Sequence, residues 1–212
     1  MAVHPGSFRY TAPAPWDNAF AGEEVHNLVR RPGVPQATRA GRFFWSRWSE
    51  ARIRTRVAQG PALGLEASLE LVDGTELRRV VAVIDGLAVV VDTVGGPGDE
   101  VRWNLLGVDS VSTANDVTTV LGGFEARVVH GGAATVHEPS DDDPRSGWHA
   151  PTYGRREPLQ ALTVTAGAAG RVLSAFASTA RSDRLDDVVA RLRALPPGAD
   201  AVAVASAIRE ER

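Results

Sequence analysis

LEASLELVDGTELRRVVAVIDGLAVVVDTV, residues 65–94, decides the fold. Leu65, Ala67, Leu69 and Leu71 alternate with Glu66, Ser68 and Glu70, the period-two pattern of a strand with one face in a core. Asp73-Gly74 follows, then the run 75–84, then Asp85-Gly86, then 87–94. Asp-Gly between β-branched runs is a strong hairpin signal, because these residues accept the positive φ that a tight turn needs. The stretch 80–91 is nearly all apolar apart from its turn, which reads as strands buried on both faces at the centre of a sandwich.

Working outward, strand-like runs recur at 101–106, 117–121, 124–130, 134–137, 159–165 and 171–177. Gly-Gly pairs at 95–96, 122–123 and 131–132 punctuate them. Many short strands with regular turns, and no alternation of strand with helix, predict an all-β fold: an antiparallel β-sandwich, supersandwich-like. Upstream, 8–11, 24–30 and 42–56 read as strand pieces among Pro-rich turns. Downstream, Ser182 or Asp183 can cap a helix with the apolar face Leu185, Val188, Val189, Leu192 and Leu195, stopped by Pro196-Pro197-Gly198. A second short helix is expected over 199–212. The sandwich domain is therefore placed at 1–180 and a C-terminal helical segment at 181–212.

The chain's 212 residues suffice for one domain with its own core. There is no Cys, which excludes disulfides, thiolate zinc sites and Cys nucleophiles. All 23 basic residues are Arg, so Lys Schiff-base chemistry and a P-loop are excluded too. A net charge of −3 makes nucleic acid a poor default partner. No run of 18 apolar residues exists, so no membrane span is expected. No signal peptide is visible near Met1, which leaves the cytoplasm as the default location.

Some residues stand out for chemistry. Arg52, Arg54 and Arg56 alternate and read as one basic face of a strand; planar guanidinium groups suit carboxylate and sulfate, although Arg also serves as a general surface residue. Trp45 and Trp48, three apart on a strand, face opposite sides, one toward a core and the other available as a sugar platform. His130 and His137 flank Gly131-Gly132 but lack a third metal ligand. Asp141-Asp142-Asp143 reads as a solvated loop or a Ca²⁺ loop, and His149 as a sugar-stacking or solvent-exposed loop residue.

Five pieces occur in a telling order: Phe8-Arg9-Tyr10, His26-Asn27-Leu28-Val29, Phe43-Phe44-Trp45, the run 87–92, and 148–154. In that order, residues 5–178 resemble the C-terminal β-domain of the heparinase II/III-like polysaccharide lyases. The resemblance implies a β-sandwich that works beside an upstream α/α toroid, with the site in the cleft between them. It implies cleavage of uronic-acid-containing glycans by β-elimination, in which a base removes the C5 proton and the C4 oxygen leaves. His26 occupies the family's catalytic His position, and Asn27 is its strand neighbour on the opposite face. Asn27, Trp48, Arg52, Arg54 and Tyr153 are the candidate substrate contacts.

Two departures from the pattern matter. Glu23 and Glu24 stand where the family has an Arg and small residues, and they oppose a polyanion. Leu28 stands where some members have a second, metal-binding His, so no metal and no cofactor are carried over. The expected partner is an acidic polysaccharide. The toroid is missing from this sequence, so the chain alone is expected to be inactive. The alternative is a non-catalytic module that binds acidic carbohydrate, or a structural module that self-associates through the vacated surface.

Overall fold

The computed structural model describes residues 1–209, the side chain of Gln59 excepted. The first five strands are β1 (Val29–Arg30), β2 (Thr38–Arg39), β3 (Trp45–Ser46), β4 (Glu50–Gln59) and β5 (Ala62–Glu70). Next come β6 (Glu76–Ile84), β7 (Leu87–Thr93), β8 (Glu100–Leu105), β9 (Val108–Ala114), β10 (Val117–Gly122) and β11 (Glu125–Val129). The remainder are β12 (Gly131–His137), β13 (Trp148–Thr152), β14 (Arg155–Pro158), β15 (Gln160–Ala166) and β16 (Arg171–Ala177). Two helices close the chain, α1 (Leu185–Ala194) and α2 (Ala201–Ala207).

These strands form an eight-stranded sheet, ordered β4-β5-β6-β7-β16-β11-β10-β9, and a four-stranded sheet, ordered β1-β8-β15-β12. The strand pairs within both sheets are antiparallel. Residues 65–94 supply β5, β6 and β7, as their pattern predicts. Ile84 pairs with Leu87, and Asp85 (φ 44°) and Gly86 (φ 74°) supply the two left-handed residues of the turn between them.

The expected burial of 80–91 on both faces holds for most of the stretch, though only one of its two covers is a sheet. Val81 and Val90 face the small sheet, in a core with Val101, Trp103, Leu162 and Val164. Val80, Val89 and Val91 face α1 and α2, against Leu185, Val188, Leu192 and Val204. Each of these fully buried aliphatic side chains stabilises the fold by on the order of 2 kcal/mol relative to exposure. Val83 departs from the pattern and is exposed.

The helix caps differ from expectation. Ser182 and Asp183 fall inside a 3-10 turn, Thr179–Arg184, and α1 begins at Leu185 with no side-chain cap. Asp186 and Asp187 in its first turn and Arg191 and Arg193 in its last complement the helix dipole instead. In α2, Asp200 Oδ1 accepts from the Ala203 amide at 2.9 Å. The second helix, expected over 199–212, covers Ala201–Ala207; residues 210–212 of that expectation lie outside the described residues.

The N-terminal third is less regular than predicted. Residues 8–11 form no strand, 24–30 keeps only β1, and 42–56 divides into β3 and β4. Conversely, β9 and the β13–β14 hairpin appear where no strand was expected. The sequence of β9, VDSVSTA, is mostly polar because neither of its faces is fully covered. Among the described residues, no helix is long and apolar enough to cross a membrane.

Candidate functional site

A 3-10 turn, Glu23–Val25, leads into His26, whose backbone is extended (φ −100°, ψ 158°). Buried Phe20 and Val25 fix this turn in a small apolar cluster with Phe8, Trp16 and Trp148. The Arg156 guanidinium lies 3.8 Å from the Trp16 ring centroid and 4.4 Å from that of Trp148, joining the N-terminal segment to β14. Gly6 makes the close approach possible: with φ at +77°, a Cβ there would stand 2.1 Å from the Ala150 carbonyl oxygen.

His26 and Asn27 therefore sit on a turn, and not on the strand expected for them. Both ends of the Asn27 amide are engaged by backbone. Its Nδ2 donates to the Val3 carbonyl at 2.9 Å, and its Oδ1 accepts from the Asn104 amide at 2.6 Å. Its own carbonyl accepts from Arg79 at 2.7 Å. Arg79 is held in turn by both oxygens of buried Asp92, at 2.6 and 3.0 Å, and lies over Trp103. Asn104 Nδ2 donates to the Val25 carbonyl at 2.6 Å. The turn that carries His26 is thus bolted to β6, β7 and β8 from both sides.

The His26 Nε2 lies 3.1 Å from the Phe20 carbonyl. A carbonyl only accepts, so this partner assigns the proton to Nε2 and leaves Nδ1 with a lone pair. Burial, and next the facing His4 ring at 4.8 Å, push the imidazole pKa below its ordinary value. At neutral pH His26 is a free base with a fixed tautomer.

His26 lines an open cleft of about 430 Å³ together with Glu23, Leu28, Gln36, Trp45 and Trp48. Trp48 is 70% exposed, a flat apolar wall beside the imidazole. Trp45 and Trp48 were expected to face opposite ways, yet both line this cleft. The reason is Arg47, whose left-handed backbone (φ 52°) ends β3 and breaks the strand alternation. Glu23 accepts from the Gln36 amide at 2.8 Å, and burial raises its pKa. Sequence reading did not find Gln36: no local pattern links it to a histidine ten residues earlier, and the Ser49 amide hydrogen bond to its carbonyl (2.7 Å) places it.

The arginine stripe does not survive. A bulge between Ile53 and Thr55 breaks the alternation of β4: Arg52 pairs with Ser68, whereas Arg56 pairs with Leu65. Ser68 and Leu65 lie on opposite faces of β5, so Arg52 and Arg56 do too. Arg54 follows Arg52, donating to Ser68 Oγ at 2.8 Å and pairing with Glu76. Arg52 pairs with Glu50 at 2.8 Å. This is the sheet face toward α2, whereas Ala51 and Leu69 of the His26 cleft are on the other face.

Tyr153 stands outside the lining of the cleft, at the exposed tip of the β13–β14 hairpin. Its hydroxyl accepts from the Tyr10 amide at 3.3 Å. Its ring lies 5.2 Å from that of Tyr10, which in turn lies 5.5 Å from Phe43. These three exposed rings make a separate aromatic surface. His149 is buried beside Glu157, not an exposed loop residue. His130 and His137 bond Thr118 and Thr163 respectively. Asp141 pairs with Arg156 and Asp143 with Arg145. Among the described residues, no group of three or more His, Asp or Glu side chains is placed to hold a metal ion.

The family model described as "Heparinase II/III-like, C-terminal" matches residues 1–188. Among curated proteins, none matches this chain. Among solved structures, the Heparinase III-BT4657 gene product aligns with a TM-score of 0.61 at 14% identity, over 82% of this chain and 27% of that one. The heparan sulfate lyase HepC from Pedobacter heparinus aligns with a TM-score of 0.57 at 13% identity, over 83% of this chain and 28% of that one. At such identities the likeness is one of fold. The chain spans little more than a quarter of the length of the solved structures it matches.

Proposed function

We propose, on the premise that this chain belongs to the heparinase II/III-like C-terminal family, that it is the β-domain of a polysaccharide lyase acting on uronic-acid-containing glycans. His26 is its contribution to the reaction. The observation that carries this reading is the His26 imidazole itself: neutral, anchored through Nε2, with no hydrogen bond to Nδ1 among the described residues, on the wall of an open cleft that it shares with an exposed tryptophan.

The chemistry follows from that arrangement. Nδ1 takes the C5 proton, the C–H electron pair forms the C4–C5 double bond, and the C4–O bond breaks. The leaving oxygen takes a proton from an acid. The C5 proton is weakly acidic, so the uronate carboxylate must also be neutralised as charge develops. Those two functions fall to the toroid that the family resemblance implies. Trp48 stacks a sugar ring beside His26, Asn27 positions the turn, and the Tyr10–Tyr153–Phe43 surface receives sugars farther along the glycan.

Two measurements test this. In the complete lyase, His26→Gln should lower release of unsaturated uronate, read by ultraviolet absorbance, by 10²-fold or more (the order of magnitude for a general base). Unchanged activity would refute the assignment. In the isolated chain, a heparan sulfate oligosaccharide should shift the imidazole resonances of His26. A second reading, a glycan-binding module without catalysis, is favoured by the exposed aromatic surface; it predicts binding with no loss of cleavage in the His26 variant.

A further inference from the structure

The outer face of the small sheet carries a second pocket, about 320 Å³ in volume, that the elimination chemistry does not use. Its floor is set by strand register. Arg102 of β8, Thr163 of β15 and Thr135 of β12 form one cross-strand row. Arg30, Glu100 and Thr165 form the row on one side of it, and His137 stands in the row on the other side, with Ala161 and Asn104. The 143–145 loop and Glu24 form the rim.

Three arginines (Arg30, Arg102, Arg145) and three carboxylates (Glu24, Glu100, Asp143) line this pocket, and they are unevenly paired. Arg30 pairs with Glu100 at 2.6 Å, and Arg145 with Asp143 at 2.9 Å. Arg102 is only 5% exposed, and among the described residues it has no carboxylate partner. It donates instead to Asn104 Oδ1 at 3.1 Å and the Arg145 carbonyl at 2.7 Å, both neutral acceptors. A buried guanidinium without a counter-ion is costly. Desolvation first and Arg30 next lower its pKa to about 10, while Asp143 and Glu24 pull the other way through space. His137 bonds the Thr163 hydroxyl at 3.1 Å, and its pKa is lowered by burial and then by Arg102.

We propose that this pocket binds an oxyanion, a sulfate or carboxylate group, with Arg102 as the principal cation and the hydroxyls of Thr135 and Thr163 beside it. An anion there pairs directly with Arg102, which Asp143 and Glu24 reach only through space. The volume lies at the small end of the range for ligand pockets, enough for the group together with part of the molecule that bears it. Glu24, Glu100 and Asp143 oppose the anion, and of the three only Glu24 has no arginine paired with it among the described residues. This site is independent of the lyase reading.

The test is calorimetric titration of the full chain with sodium sulfate, and separately with sodium glucuronate, at constant ionic strength against sodium chloride. One saturable site for either oxyanion is expected, and which one binds identifies the source. Arg102→Gln should weaken binding tenfold or more. Glu24→Gln, a change at the rim that keeps the side-chain shape, should tighten it severalfold, and it preserves the test if the Arg102 variant does not fold. His26→Gln should leave binding unchanged, which separates this site from the lyase site. A response no larger than that to chloride, or an affinity unmoved by Glu24→Gln, would overturn the proposal.

Discussion

Asp92→Ala probes how the turn bearing His26 is held. Asp92 is fully buried on β7 and grips Arg79 with both oxygens, at 2.6 and 3.0 Å. Removing it strands a guanidinium between the sheets, a change that costs about 3–5 kcal/mol for a buried pair. The Arg79 side chain keeps 23% exposure and reaches water, so the low end applies, about 3 kcal/mol. For a chain of this length that corresponds to a fall in Tm of about 6–12 °C. Arg79 also donates to the Asn27 carbonyl, so loosening it should free the Asn27 side chain from the Asn104 amide. The assay is urea unfolding of Asp92→Ala, Arg79→Met and the double variant, with hydrogen exchange at the Asn104 amide. The double variant should be less destabilised than the sum of the singles, and exchange should quicken in Asp92→Ala. A loss below about 1 kcal/mol, or additivity within about 0.5 kcal/mol, would refute the reasoning.

Two more outcomes follow from buried groups. His26, His130 and His137 all have pKa values lowered mainly by burial, so the unfolded chain binds more protons than the folded one below the ordinary value of 6.5. Stability should be full above that pH and fall as the pH drops below it, seen as a lower urea midpoint at pH 5.5 than at 7.5; a flat profile would contradict it, and His26→Gln should reduce the slope. Ser174→Ala leaves the buried Trp103 indole N–H, which donates to Ser174 Oγ at 3.1 Å, without a partner. It should cost about 1–3 kcal/mol in urea unfolding, and Trp103→Phe should recover part of that loss when added to it.

What the sequence made legible follows from how locally each feature is determined. Asp85-Gly86 dictates its own turn, and the runs on either side have a single consistent register, so β6 and β7 could be read directly. The apolar spacing of Leu185, Val188 and Leu192 likewise identifies α1. His26 was singled out through the order of motifs, yet its setting was not legible: Phe20, His4 and Asn104 define its tautomer and pose, and none of them is tied to it by a periodic pattern. The arginines failed for a different reason. One bulge residue, Arg54, moves Arg56 to the other face, and nothing in an alternating sequence announces a bulge. Arg102 passed unnoticed because an arginine in a strand looks alike whether or not a carboxylate waits opposite it.

The bulge in β4 has another consequence. This strand is the first in the order of the large sheet, so its outer margin offers unpaired N–H and C=O groups to any extended chain that comes alongside. Charged residues stand along this strand at Glu50, Arg52, Arg54 and Arg56, and the bulge interrupts the ladder a newcomer would need to follow. The bulge is thus one of the devices by which an edge strand resists pairing with a neighbouring chain.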